Sequence, residues 1–73
     1  DVDGLLQSMA NRYREEPMTQ VDGVKIDFPD AWVHLRKSNT EPIIRIYTEA
    51  ASGAEADALA DRFIAELKEL AGL

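Results

Sequence analysis

Seventy-three residues suffice for one domain, and a chain this short buries only about 60% of the surface it exposes when unfolded, so its stability rests on a small core. It has no cysteine, which excludes a disulfide framework and a thiolate metal site, and no apolar run nears the roughly 20 residues of a membrane span. Fourteen acidic against eight basic side chains leave a formal charge of −6, which argues against general nucleic-acid binding because that needs a basic face.

In chain order, Asp1 to Arg14 reads as a short helix. Leu5, Met9 and Tyr13 recur at i+4 spacing, as do Leu6 and Ala10, giving one apolar stripe. Asp3 is the expected N-cap, and Pro17 bars continuation. The opening Asp-Val-Asp-Gly faintly matches a calcium loop, but Leu5 and Arg12 stand where that loop needs a ligand and a bidentate glutamate, so no metal site is assigned. Glu15 to Gln20 has no period and is expected to be a linker or a ragged edge strand. Asp22-Gly23 signals a turn; Val24, Ile26 and Phe28 then alternate with Lys25 and Asp27, the period of a half-buried strand. Pro29-Asp30 supplies a hairpin turn into a second strand, about Ala31 to Arg36, with Val33 and Leu35 on one face and Trp32, His34 and Arg36 on the other.

Beyond residue 42 a further strand puts Ile44, Ile46 and Thr48 on one face and Ile43, Arg45 and Tyr47 on the opposite one. If Val33, Leu35, Ile44 and Ile46 face the helices, alternation brings Arg36 and Arg45 together on the open face beside Trp32 and Tyr47, provided no β-bulge shifts the pairing. From Ala51 the pattern is helical. Ser52 and Glu55 form a capping box, and Ala56, Leu59, Ala60, Phe63, Ile64, Leu67 and Leu70 make one stripe. Asp57, Asp61, Glu66 and Glu69 fall on the solvated side, and Gly72 stands where a C-cap glycine belongs. The fold class is α+β: over residues 1–73, a single domain with an antiparallel sheet of three to four strands packed on two helices on one face.

The segment that carries chemistry joins the last two strands. Ser38 and Thr40 offer hydroxyls, the Ser38-Asn39-Thr40 backbone offers successive N–H groups, and Arg36 offers a planar fork of donors. Asn39 tolerates a left-handed backbone, which would let neighbouring N–H groups converge. Pro42 lacks an N–H and is expected at a strand-initial or edge position. His34, Arg36, Lys37 and Arg45 fall within a dozen positions while most carboxylates lie in the flanking segments, so one small anion suits the loop better than a polymer. The plain alternative is a hairpin loop with a local hydrogen bond from Ser38 to Glu41.

The pattern Arg36-x-Ser38-Asn39-Thr40-Glu41-Pro42 followed by Arg45-x-Tyr47 resembles the phosphate-binding loop in the last domain of the α-D-phosphohexomutases, the phosphomannomutases, phosphoglucomutases and phosphoglucosamine mutases. The flanks resemble it too: Asp22-Gly23-Val24-Lys25-Ile26, Trp32-Val33 and Glu49-Ala50, with Ala31 departing from the glycine often found before the tryptophan. The resemblance covers about residues 21 to 70 and implies a TBP-like domain. It implies that Arg36, Ser38, Asn39 and Thr40 bind a substrate phosphate, with Glu41 and Arg45 supporting. Arg45 is expected to pair with Glu41 or Glu49 and hold the loop, with phosphate contact as the alternative. Lys37 is expected to face solvent, His34 to be a surface residue, and Trp32 and Tyr47 to pack on the sheet, with the mouth of a sugar site as their other role.

The family's catalytic serine loop, its aspartate-rich metal loop and its sugar-discriminating loop have no counterpart in this sequence. The resemblance therefore implies a terminal domain with no catalytic residue and no metal or other cofactor of its own. It is expected to be inactive alone, to belong to a cytoplasmic enzyme whose Mg²⁺ another domain binds, and to have a hexose or hexosamine phosphate and the other domains as partners, with neither nucleic acid nor membrane. The rival is a stand-alone protein-interaction module using a sheet edge or the open face.

Overall fold

A computed structural model describes residues 1–73. The elements are helix α1 (Val2–Arg12), strands β1 (Met18–Thr19), β2 (Val24–Phe28), β3 (Ala31–Lys37) and β4 (Ile44–Glu49), and helix α2 (Gly53–Ala71). The strands form one antiparallel sheet in the order β1-β2-β3-β4, and both helices lie on one face of it, as the alternation predicts. The ragged segment before Asp22 supplies the two-residue edge strand β1.

Leu6, Met9 and Ala10 of α1, Val24 and Ile26 of β2, Val33 and Leu35 of β3, and Phe63 and Leu67 of α2 are buried together as the core. Tyr13 closes one side, its ring stacked on Phe63 at 5.1 Å and edge-on to Phe28 at 5.9 Å. No helix is long and apolar enough to cross a membrane.

The caps are local and explain the helix ends. Ser52 Oγ accepts from the Glu55 N–H, and Gly72 takes a left-handed backbone at φ 80° with its N–H returned to the last turn. At the other helix the cap is Asp1, which accepts from the Gly4 N–H, rather than Asp3. The two aspartates compete for one role, and the helix starts early enough for the first to take it.

Two further expectations fail for a shared reason. Ile64 lies 39% exposed beside the stripe rather than in it. Glu66, expected in solvent, is turned toward α1, where it meets Arg12 and Tyr13. A helix of this length presents more than one face, and what α1 lays across it decides which side chains are covered.

Candidate functional site

Strand pairing builds the site. In the β3–β4 register Arg36 lies directly opposite Arg45, His34 opposite Tyr47, and Lys37 opposite Ile44, without a bulge. Leu35 and Val33 point into the core, so Arg36, His34 and Trp32 emerge on the face the helices leave open. Two like charges directly opposite one another are normally destabilising, which makes this pair unusual as packing alone.

Residues 38 to 43 close the turn between these strands. The Ser38 N–H donates to the Ile43 carbonyl at 3.1 Å, and the Ile43 N–H donates to the Glu41 carbonyl at 2.8 Å. The second bond spans a three-residue turn centred on Pro42, whose fixed φ suits an inverse γ-turn. Ser38 is the one buried polar side chain of the protein, 7% exposed. Its Oγ accepts from the Thr40 N–H at 3.4 Å and lies 3.5 Å from the Thr40 hydroxyl, so no bond to Glu41 forms. The Asn39 N–H donates to no backbone carbonyl. Nor does Asn39 adopt a left-handed backbone: positive φ occurs only at glycine, so the N–H groups are arranged by the Ser38 and Pro42 turns instead.

Arg36, Ser38, Asn39, Thr40 and Arg45 line one cleft of about 310 Å³, with Lys37 and the half-exposed ring of Tyr47 completing its wall. All four residues expected to bind phosphate are thus brought together, and Tyr47 both packs beside the cross-strand His34 ring, 6.4 Å between centroids, and lines the cleft. Arg45 forms no ion pair with Glu41 or Glu49; its guanidinium faces the cleft without a carboxylate partner. Glu41 is exposed and makes no ion pair either. Lys37 is exposed as expected, and at the surface its Nζ sits 3.2 Å from Asp3 of α1. His34 is engaged as well: Nε2 donates to the Asp22 carbonyl at 2.6 Å, since a carbonyl can only accept.

A cleft of this size suits a phosphate and part of what it is attached to, and every lining side chain carries a donor: two guanidinium groups, one ammonium, three hydroxyls and an amide. Elsewhere, no three His, Cys, Asp or Glu side chains converge. A second cleft, lined by Phe28, Ala31, Ala50, Ala58 and Leu59, is mainly apolar and lies beside α2, away from the loop.

Comparison with known proteins covers most of the chain. The sequence matches the family model described as phosphoglucomutase/phosphomannomutase, C-terminal domain, over residues 2–66. It is 40% identical over 62 residues to the probable phosphoglucosamine mutase of Methanopyrus kandleri, covering 82% of this chain and 14% of that protein. It is 37% identical over 60 residues to the phosphomannomutase/phosphoglucomutase of Pseudomonas syringae pv. tomato, covering 82% and 13%. It is 32% identical over 65 residues to the phosphoglucosamine mutase of Methanocaldococcus jannaschii, covering 89% and 14%. The chain thus spans about 14% of the length of these curated relatives.

Proposed function

From the premise that this chain belongs to the phosphoglucomutase/phosphomannomutase family, as its C-terminal domain, we propose that it is the phosphate-gripping part of a longer phosphohexomutase. The enzyme interconverts hexose or hexosamine 1- and 6-phosphates. A phosphoserine in another domain gives up its phosphoryl group to form a bisphosphorylated intermediate, which reorients and returns the other phosphate to the serine.

Through both halves of that cycle this domain makes and breaks no bond. It holds the phosphate that is not being transferred, so that the reacting oxygen meets the phosphoserine. That is catalysis by positioning, supported by binding energy remote from the reacting centre. The cleft offers no ligand set for the Mg²⁺ expected in the rest of the enzyme, and its own contribution is electrostatic and positional.

One observation carries the reading: Arg36 and Arg45 stand directly opposite each other at the mouth of the Ser38–Thr40 turn, and no carboxylate of the chain neutralises Arg45. A dianion between them relieves the repulsion that the empty pair stores. Arg36 contributes the fork, Ser38 and Thr40 contribute hydroxyls, and Asn39 contributes its free N–H. Arg45 becomes a second grip on the phosphate rather than a brace for the loop. Because all of these groups read phosphate oxygens, the site accepts the substrate in either orientation. Sugar identity is decided elsewhere.

Arg36→Ala in the full-length enzyme is expected to cost about 2–4 kcal/mol of transition-state stabilisation, a fall of roughly 30-fold or more in kcat/KM. Steady-state kinetics showing less than a threefold fall would remove Arg36 from the site.

A further inference from the structure

Asp22 lies outside the loop, yet its carboxylate is the one acidic group paired with Arg36: Oδ2 sits 2.8 Å from Nη2. Two other contacts fix the turn that carries it. His34, two residues before Arg36 on the same face, donates from its ring to the Asp22 carbonyl at 2.6 Å. Gly23 has φ 75° and lies so close to β3 that a Cβ there would overlap the Leu35 carbonyl oxygen and reach 3.1 Å from the Arg36 Cα. The turn is therefore seated on β3 at the very residue whose side chain Asp22 touches.

We propose that Asp22 is a positioning residue for phosphate binding: it draws the Arg36 guanidinium toward the β2 side of the sheet, away from Arg45, and holds open the gap in which the phosphate sits. The inference rests on the phosphate-gripping reading given above. Its geometry follows from topology. Asp22 shortly precedes β2, which pairs with one side of β3, whereas Arg45 belongs to β4 on the other side. Directly opposed side chains begin only about 5 Å apart at Cβ, so two guanidinium groups there either splay or collide. The ion pair is a single contact through Nη2, which carries two N–H groups, so one bidentate edge of the Arg36 guanidinium stays without a carboxylate.

A carboxylate beside an anion site also competes with the anion, so the two effects must be weighed. Arg36 and Asp22 are 46% and 65% exposed, and an ion pair this solvated is too weak to withhold a guanidinium from a dianionic phosphate. It does suffice to bias a long, freely rotating side chain toward one arrangement, which removes part of the ordering cost from binding. Positioning outweighs competition.

The test is a double-mutant cycle in the full-length mutase, assayed with whichever of glucose, mannose or glucosamine 1-phosphate the wild-type enzyme turns over fastest. Asp22→Asn is expected to lower kcat/KM about threefold to fivefold, and Asp22→Glu, which keeps the carboxylate, to restore it to within about twofold of wild type. In an Arg36→Ala background Asp22→Asn should cost nothing more, because the residue it positions is gone. An equal loss in both backgrounds would mark Asp22 as merely structural, and an unchanged or raised kcat/KM would mean competition prevails; either overturns the inference. If Arg36→Ala is itself silent, the phosphate-gripping reading falls. If Arg36→Ala costs its expected factor while Asp22→Asn costs nothing, only the role of Asp22 falls.

Discussion

The protein holds two pairs of arginines, and they are treated in opposite ways. Arg12 and Arg62 meet between the helices on a carboxylate. Glu66 accepts from Arg12 at 3.2 Å, from the Arg62 Nε at 3.2 Å and from the Tyr13 hydroxyl at 2.7 Å. Arg12 reaches Glu69 as well, and Arg62 donates to the Tyr13 hydroxyl at 2.8 Å. Arg36 and Arg45 meet across two strands, and only Arg36 has an acidic partner, the exposed Asp22. Each guanidinium of the helix pair is engaged through two nitrogens and neutralised by a carboxylate, while the strand pair keeps nearly all of its donors. A charge of −6 provides carboxylates in excess, so leaving Arg45 unpaired reflects placement, not supply.

The sharpest way to break this comparison is Arg45→Ala. If Arg45 grips phosphate, its loss removes charge-assisted hydrogen bonds and lowers kcat/KM of the full-length enzyme by about 1.5–3 kcal/mol, tenfold or more. Thermal stability of the domain should hold or rise slightly, since one of two facing like charges is gone. A variant that melts earlier but turns over normally would mean that Arg45 braces the loop after all.

Glu66→Ala probes the other pair. It leaves Arg12, Arg62 and the Tyr13 hydroxyl short of an acceptor, and because both guanidinium groups are partly solvated we expect a loss of only about 1–2 kcal/mol. In a domain of this size that lowers Tm by roughly 4–15 °C in a calorimetric scan. Activity of the full-length enzyme below the transition should be unchanged. A kcat/KM loss without a Tm shift would erase the distinction between a pair that braces the fold and a pair that serves a ligand.

Acidity sharpens the same point. Burial pushes the Glu66 carboxyl upward, but the hydrogen bonds from Tyr13, Arg12 and Arg62 outweigh it and hold the group below its ordinary range. A depressed carboxyl contributes stability above its unfolded value and loses it as pH falls through the folded one. Stability should therefore decline below about pH 4.5, and a Glu66→Gln variant should flatten that limb and converge with wild type in acid. Tyr13 moves upward, first through burial and then through Glu66, against the opposing pull of Arg62. A raised phenol contributes stability below its unfolded value, so a second decline is expected above pH 10. Denaturant melts across that span would test both limbs.

What the sequence reveals of the two pairs differs as the pairs do. Strand alternation is a local signal with period two, so once the apolar sides of β3 and β4 face the helices and no bulge intervenes it places Arg36 and Arg45 on one open face. The Ser52 and Gly72 caps are local too. Glu66 is not: its partner Arg12 lies 54 positions earlier, and no periodicity within α2 tells a helix residue that a distant arginine will cover it. The contacts of Asp22 and Lys37 are hidden for the same reason, since each joins segments whose spacing follows only from the assembled sheet. Arg45 is legible in position and not in partnership: Glu41 and Glu49 are near in sequence, yet neither pairs with it in the fold.

The smallest expected effect tests the loop's backbone. Glycine at position 39 would be needed if the turn demanded a left-handed residue, and Asn39 would then be its best substitute. The observed backbone makes no such demand, because no non-glycine residue has positive φ. Asn39→Gly and Asn39→Ala should therefore behave alike: both keep the free N–H, both lose the amide, and each should leave kcat/KM within about threefold of wild type if the N–H is what touches phosphate. Glycine adds freedom to the unfolded chain, so on stability it should trail alanine by about 0.5–1 kcal/mol. An alanine variant that keeps this stability advantage yet turns over more slowly than glycine would show that the loop turns left-handed when phosphate is bound. Losses above tenfold in both would mean that the side-chain amide reaches the phosphate itself, and Asn39 would then join the two arginines in the proposed grip.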